Sequence, residues 1–304
     1  MKRWWIYQKE RFPVFGHGPL IMAFSFSAVC YSSQLRGLET WPAGRAALVA
    51  FITSFLSFLH LRIADEFKDF EEDSQYRPYR PVPRGLVKLR ELGWLWAITA
   101  LIQAGLAWWQ APALLGWLAL TWLYLALMSR EFFVRDWLKA RPFTYMWTHM
   151  LIMPLIDFYA TACDWAGARE SVPSGLGWFL ATSFFNGLVI EIGRKIRSPD
   201  IEENGVPTYS KQWGMRNATI AWLASMAATA FCASAASIKI HFAMQAGILL
   251  AVFLSGGIFL GTCFLKNPCP KLSKRIEVFS GIWTLFMYLI LGVLPLALRI
   301  LTKS

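Results

Sequence analysis

Asp65, Asp69 and Asp73 recur at every fourth position in the stretch Asp65-Glu66-Phe67-Lys68-Asp69-Phe70-Glu71-Glu72-Asp73. A helix running through them carries three carboxylates along one face. Unpaired, they repel. A hard divalent cation relieves that repulsion, and Mg2+ in particular takes one or two carboxylates while leaving positions for water and phosphate oxygens. Arg77 and Arg80 follow in the segment ending Arg80-Pro81-Val82-Pro83-Arg84-Gly85, and their guanidinium forks match phosphate oxygens. Carboxylates, metal and arginines together suit a diphosphate. The competing reading is a solvated acidic face neutralised by nearby Lys and Arg.

A second segment mixes the same residue types. It reads Glu191-Ile192-Gly193-Arg194-Lys195-Ile196-Arg197-Ser198-Pro199-Asp200, with Gly205-Val206 further on. Glu191 and Asp200 add candidate metal carboxylates, and Arg194 and Lys195 add cations for substrate oxygens. If the two segments face each other, a metal and a diphosphate fit between them, above a helical cavity that takes a long apolar tail.

The elements that must position these residues are membrane spans. Of 304 residues, 56% are hydrophobic and 16% charged, and at about 20 residues per crossing of a ~30 Å hydrocarbon layer, nine helices use roughly 180 residues. Apolar runs lie near 13–32, 46–64, 92–110, 113–129, 143–162, 175–193, 217–237, 243–264 and 277–298. This predicts an all-α, polytopic membrane protein with nine transmembrane helices, folded as a single domain over 1–304. Cytoplasmic loops collect Lys and Arg. With the N-terminus cytoplasmic, only Arg36, Arg45, Arg169, Lys239, Arg299 and Lys303 of the 30 basic residues fall outside, which suits a bacterial cytoplasmic membrane. Both polar segments then lie on the inner face, after spans two and six. The first span, lacking a small-residue cleavage site nearby, reads as an anchor.

Other classes fit less well. The net charge of +11 follows from this topology, and no nucleic-acid partner is expected because the basic residues are not gathered on a soluble face. Cys30, Cys163, Cys232, Cys263 and Cys269 form no C-x-x-C pair, which argues against zinc or a disulfide framework. The chain has no G-x-S-x-G, H-E-x-x-H or Walker-type loop.

Polar residues inside spans are candidates by default. Asp157 lies about 20 Å along span five from its polar end, at 1.5 Å per residue, so a structural partner or the outer interface suits it. His149 and Asn186 lie shallower, placed either to face an acceptor pocket or to join helices. His17 and His60 are not at ligand spacing and read as packing residues.

The chain resembles the UbiA superfamily of intramembrane prenyltransferases, whose members typically have nine helices and two Asp-rich cytoplasmic motifs. The first motif, N-x-x-x-D-x-x-x-D followed by a basic residue and R-P-x-P-x-G, falls on Asp65, Asp69, Asp73, Arg77, Arg80, Pro81, Pro83 and Gly85, with Asp replacing Asn at position 65. The second, roughly D-x-x-x-D with a following G-V, is matched by Gly205-Val206. Ahead of it, Glu191 and Asp200 stand nine residues apart with basic residues between them. Lys139, Arg141 and Thr144 resemble the family's K-R-x-T stretch, which makes Arg141 a substrate-binding candidate.

The resemblance implies a UbiA-like bundle in a lipid bilayer, a prenyl diphosphate donor, a lipophilic acceptor and Mg2+ as cofactor. The chemistry it implies is ionisation of an allylic diphosphate and attack on the carbocation by the acceptor. Preplaced cations lower that barrier as charge develops on the leaving oxygens, and aromatic ring faces shelter the cation. A terpene cyclase would use the same ionisation. The reading from another class is a transporter or lipid-binding protein, which would place its charge nearer the midplane.

Overall fold

The computed structural model describes residues 2–203 and 205–303. They form helices joined by short loops, with no strand among the described residues. In order the helices are α1 (Lys2–Arg11), α2 (Val14–Leu35), α3 (Gly44–Lys68), α4 (Phe70–Tyr76), α5 (Leu89–Gln110), α6 (Leu114–Ser129), α7 (Arg135–Lys139), α8 (Pro142–Met150), α9 (Ile152–Trp165), α10 (Leu176–Gly193), α11 (Tyr209–Trp213), α12 (Met215–Lys239), α13 (Ala243–Lys266), α14 (Pro270–Leu291) and α15 (Val293–Lys303).

Six of these, α2, α3, α5, α10, α12 and α13, are long and apolar enough to cross a membrane, and the bent pair α14–α15 makes a seventh if it is one span. The expected count of nine is therefore not reached by length and composition. The expected fourth span is the 16-residue α6, about 24 Å at 1.5 Å per residue. The fifth is broken at Leu151 into α8 and α9. Pro154 explains that break: it has no N–H to give the carbonyl of Met150, and its ring presses on that oxygen. Pro295 stands in the same relation to Leu291, and there the chain bends by 42° at Gly292.

Helices α3, α5, α6 and α9 pack as one group, and α10, α12, α13 and α14 as another. Helix α2 joins them, packing on α3, α9 and α14, while α9 packs on α10. Without a hydrophobic force between helices in lipid, close backbone approach supplies much of the attraction. Gly193 illustrates it, since a Cβ there would stand 2.0 Å from the Ser280 hydroxyl of α14. Buried Trp222 and Trp283 fill the core of the second group.

A smaller core lies under the first polar loop. Tyr7 of α1, Ile63 of α3, Val82, Val87 and Leu92 pack together, which fixes the proline-rich turn at one end of the bundle. Gly85 has φ +77° there, a conformation that favours glycine. Helix α1 is tied to this loop and its flanking helices by ion pairs: Arg11 to Glu66 of α3, Glu10 to Arg84 of the loop at 2.9 Å, and Arg3 to Glu91 of α5 at 2.7 Å.

Candidate active site

The carboxylate stripe is largely kept although α3 and α4 are separate helices. Backbone bonds run from the amide of Asp69 to the carbonyl of Asp65 (2.9 Å), Asp73 to Asp69 (2.8 Å) and Arg77 to Asp73 (2.8 Å), bridging the interruption at Asp69. The three side chains nevertheless occupy different environments. Asp65 and Asp69 are partly exposed, at 41% and 39% of their side-chain surface. Asp73 is buried; its Oδ2 accepts from Arg80 (2.5 Å), and its Oδ1 forms an ion pair with Arg77 at 3.3 Å.

Lys68 stands between the first two carboxylates. Its Nζ lies 4.0 Å from Asp65 Oδ1 and 3.9 Å from Asp69 Oδ1, and donates to the Tyr145 hydroxyl at 2.7 Å. Tyr145 in turn reaches Glu131 (3.3 Å) and stacks on His149, with ring centroids 4.0 Å apart. The His149 Nδ1 faces the Tyr145 carbonyl at 2.8 Å, and its Nε2 is buried with no hydrogen-bond partner. Burial and the neighbouring Asp65, Asp73 and Glu72 carboxylates push the Asp69 carboxyl above its ordinary value, against the opposing pull of Lys68.

The loop after α10 repeats the arrangement seen at Asp73. Buried Glu191 accepts from Lys195 at 2.8 Å and from Arg194 at 2.5 Å. Each polar loop thus uses one buried carboxylate to orient two cations, Arg77 and Arg80 in the first and Arg194 and Lys195 in the second. Glu191 is the chief cause that raises the Arg194 guanidinium, and Asp65, from the first loop, adds to it. The loops also touch: a Cβ on Gly205 would lie 2.4 Å from the Tyr76 ring, and Gly205 has φ +73°.

The remaining candidates divide. Arg141 lies over the Trp137 ring at 4.5 Å and is exposed. Lys139 pairs with Glu72 of α4, which lowers that carboxyl. Asp200 is exposed on the 3-10 turn Pro199–Ile201 and makes no ion pair among the described residues. Asn186 is buried and joins α10 to Thr284 of α14 at 3.2 Å, which is the helix-joining alternative. Asp157 is fully buried, and its Oδ2 accepts from the Tyr288 hydroxyl at 2.8 Å, the structural partner expected for it. His60 is likewise paired, with Thr99 at 2.7 Å.

Sequence reasoning missed Lys68, Tyr145 and Glu131. Lys68 is visible between two of the aspartates, and Tyr145 follows Thr144 of the K-R-x-T stretch. Glu131 has no such signal. It opens a turn in which Glu131, Phe132 and Phe133 all have positive φ, at 48°, 53° and 61°, a conformation costing about 1–3 kcal/mol at each non-glycine position.

The residues present fit a divalent cation in one way. No group of three His, Cys, Asp or Glu is assembled for a metal among the described residues. Asp65 Oδ2 accepts only a long bond from Arg62 (3.4 Å) and Asp69 stands 3.9 Å from Lys68, so both keep oxygens for a metal, and two carboxylates with phosphate and water suffice for Mg2+. Asp73 and Glu191 have both oxygens committed to cations.

Comparison with known proteins agrees with this arrangement of helices. The chain is similar to the apo structure of a UbiA homologue from Aeropyrum pernix K1 (16% identity, 93% of this chain and 97% of that one, TM-score 0.66). It is similar to a structure described for digeranylgeranylglyceryl phosphate synthase in membranes (17% identity, 96% and 99% covered, TM-score 0.56). A UbiA homologue from Archaeoglobus fulgidus bound to DMAPP and Mg2+ shares the fold at 11% identity (91% and 97% covered, TM-score 0.54). No curated protein matches the chain. Residues 22–271 match the family described as the UbiA prenyltransferase family. The chain is an integral, multi-pass, all-helical membrane protein, and it belongs to that family.

Proposed function

We propose that this protein is a Mg2+-dependent intramembrane prenyltransferase that transfers a prenyl group from an isoprenyl diphosphate to an aromatic or other lipophilic acceptor. The observation that carries the reading is the pairing of two accessible carboxylates, Asp65 and Asp69, with two cation pairs held by buried acids on facing loops. The A. fulgidus homologue's DMAPP and Mg2+ support it.

In this reading the 1–304 chain forms one domain and crosses the membrane nine times, counting α6, the α8–α9 pair and the α14–α15 pair as single crossings. Its N-terminus and both polar loops face the cytoplasm, and a bacterial cytoplasmic membrane suits the charge bias. Asp65 and Asp69 hold Mg2+, which when bound neutralises charge developing on the leaving diphosphate. Asp73 and Glu191 act by orienting cations. Each guanidinium has five donors and spends one or two on its acid, so Arg77, Arg80 and Arg194 keep donors for diphosphate oxygens, with Lys195 beside them. His149 turns a free ring nitrogen toward the acceptor's polar group, and the Tyr145 ring stacked on it fixes its orientation.

The direct test is release of diphosphate from allylic prenyl diphosphates by the purified protein in proteoliposomes. Mg2+-dependent release, abolished in Asp69→Asn, is expected. Analysis of the organic product then separates transfer to an added acceptor from cyclisation. No release at any chain length, from protein with a native thermal transition, would overturn the proposal.

A further inference from the structure

A cavity of about 670 Å3 opens between α3, α5, α6 and the turn after α6, lined by Lys68 but by neither Asp65 nor Asp69. Its walls are apolar, formed by Ile63 and Phe67 of α3, Trp96 of α5, and Leu125 and Ala126 of α6. One end is polar. Lys68, Arg130 and Arg135 line it against the single carboxylate of Glu131. A slot with an apolar length and a cationic end matches an amphiphile with an anionic head.

Two observations at that end point to a ligand. Arg130 has no ion-pair partner among the described residues and is exposed at the rim. Glu131 is 3% exposed, yet its Oε2 accepts no hydrogen bond, with Arg135 Nε standing off at 3.5 Å. A buried acceptor left without a donor costs free energy that a bound hydroxyl returns. The strained turn from Glu131 to Phe133 holds this carboxylate toward the slot.

The surroundings select the occupant. Helices α5 and α6 expose Trp94, Ile98, Leu101 and Leu123 on their outer surfaces, the residues that meet lipid when such helices cross a bilayer. Phe67 and Ala126 of the slot's own wall are exposed as well, so the slot opens on that surface. We infer that it binds one anionic phospholipid of the surrounding leaflet, with the phosphate on Arg130 and Arg135, a headgroup hydroxyl on Glu131, and an acyl chain between α5 and α6. The slot shares Lys68 and Glu131 with the candidate active site, whereas Arg130 and Ala126, the residues changed in the test, belong to no part of that site.

The test is thermal unfolding of the full chain in neutral detergent with added phosphatidylglycerol, phosphatidylcholine or inorganic phosphate, alongside native mass spectrometry of retained lipid. Phosphatidylglycerol is expected to raise the midpoint by several degrees and to appear as one bound molecule. Arg130→Gln and Ala126→Trp, one removing the unpaired cation and one filling the apolar wall, should each abolish both signals. Equal effects of phosphatidylcholine would mean a nonspecific lipid annulus, and equal effects of inorganic phosphate would mean an anion site without a lipid. Retention of the phosphatidylglycerol effect in both variants would place the lipid elsewhere. Any of these three results overturns the inference. Should Ala126→Trp lack a cooperative transition, Arg130→Gln, a change at an exposed side chain, decides alone, with retained lipid counted by mass.

Discussion

Gly205 lies against the ring of Tyr76 so closely that a Cβ would approach Cδ1 to 2.4 Å, and its φ of +73° disfavours any other residue. Tyr76 immediately precedes Arg77, and Gly205 belongs to the loop that follows Arg194 and Lys195. The contact therefore sets the separation of the two cation pairs.

Gly205→Ala should force the loops apart. The left-handed backbone alone costs about 1–2 kcal/mol, and the clash adds to it. The expected result is a modest loss of thermal stability with a larger loss of affinity for a prenyl diphosphate analogue, measured on the same preparation. Unchanged affinity would show that the loop spacing does not matter to binding.

The Arg11–Glu66 ion pair is nearly dry, with 10% and 1% of the side chains exposed. Removing one partner strands a buried charge at a cost of about 3–5 kcal/mol. Arg11→Met should lower the unfolding midpoint markedly, and the double variant Arg11→Met/Glu66→Leu should recover most of the loss. A double variant as unstable as the single one would mean that α1 docks by something other than this pair.

Burial and like charge raise the Asp69 carboxyl from its reference value of 3.8. A group raised in the folded state favours folding when protonated, and this contribution is lost as pH rises through the raised value. Ionised Asp69 therefore costs the ligand-free protein stability at neutral pH. Asp69→Asn should raise the unfolding midpoint at pH 7 without Mg2+, and the gain should shrink as pH falls toward 4. A destabilised Asp69→Asn protein at pH 7 would contradict the assignment.

If Asp65 and Asp69 hold the metal as proposed, Lys68 competes with it for them. A unit charge at 4 Å is worth about 1 kcal/mol where water screens it well, and Lys68 makes two such contacts, at 4.0 and 3.9 Å. Lys68→Met should therefore bind Mg2+ alone about thirtyfold more tightly in isothermal titration. Unchanged or weaker binding would mean that the metal sits away from these carboxylates.

Six of the expected spans and both polar segments were legible because apolar length and charge are local properties of the chain. The stripe of Asp65, Asp69 and Asp73 was legible through its spacing, and Gly205 through its motif. The ion pairs of Asp73 were not legible, because the proline-rich turn must fold back to bring Arg80 beside it. Glu191 is taken by Arg194 and Lys195 at helical i+3 and i+4 distance, which spacing alone permits but does not require. The breaks at Leu151 and Gly292 follow from Pro154 and Pro295, whose effect on i−4 carbonyls a hydropathy reading overlooks. Lys68 meeting Tyr145 is a contact between distant parts of the chain that no local pattern encodes.

The most direct measurement of the central claim is binding of a non-hydrolysable geranylgeranyl diphosphate analogue to the purified protein, with and without Mg2+, for wild type and Asp69→Asn. Binding that requires Mg2+ and is lost in the variant is expected, both proteins showing cooperative unfolding. Binding that ignores Mg2+ or survives Asp69→Asn would contradict it.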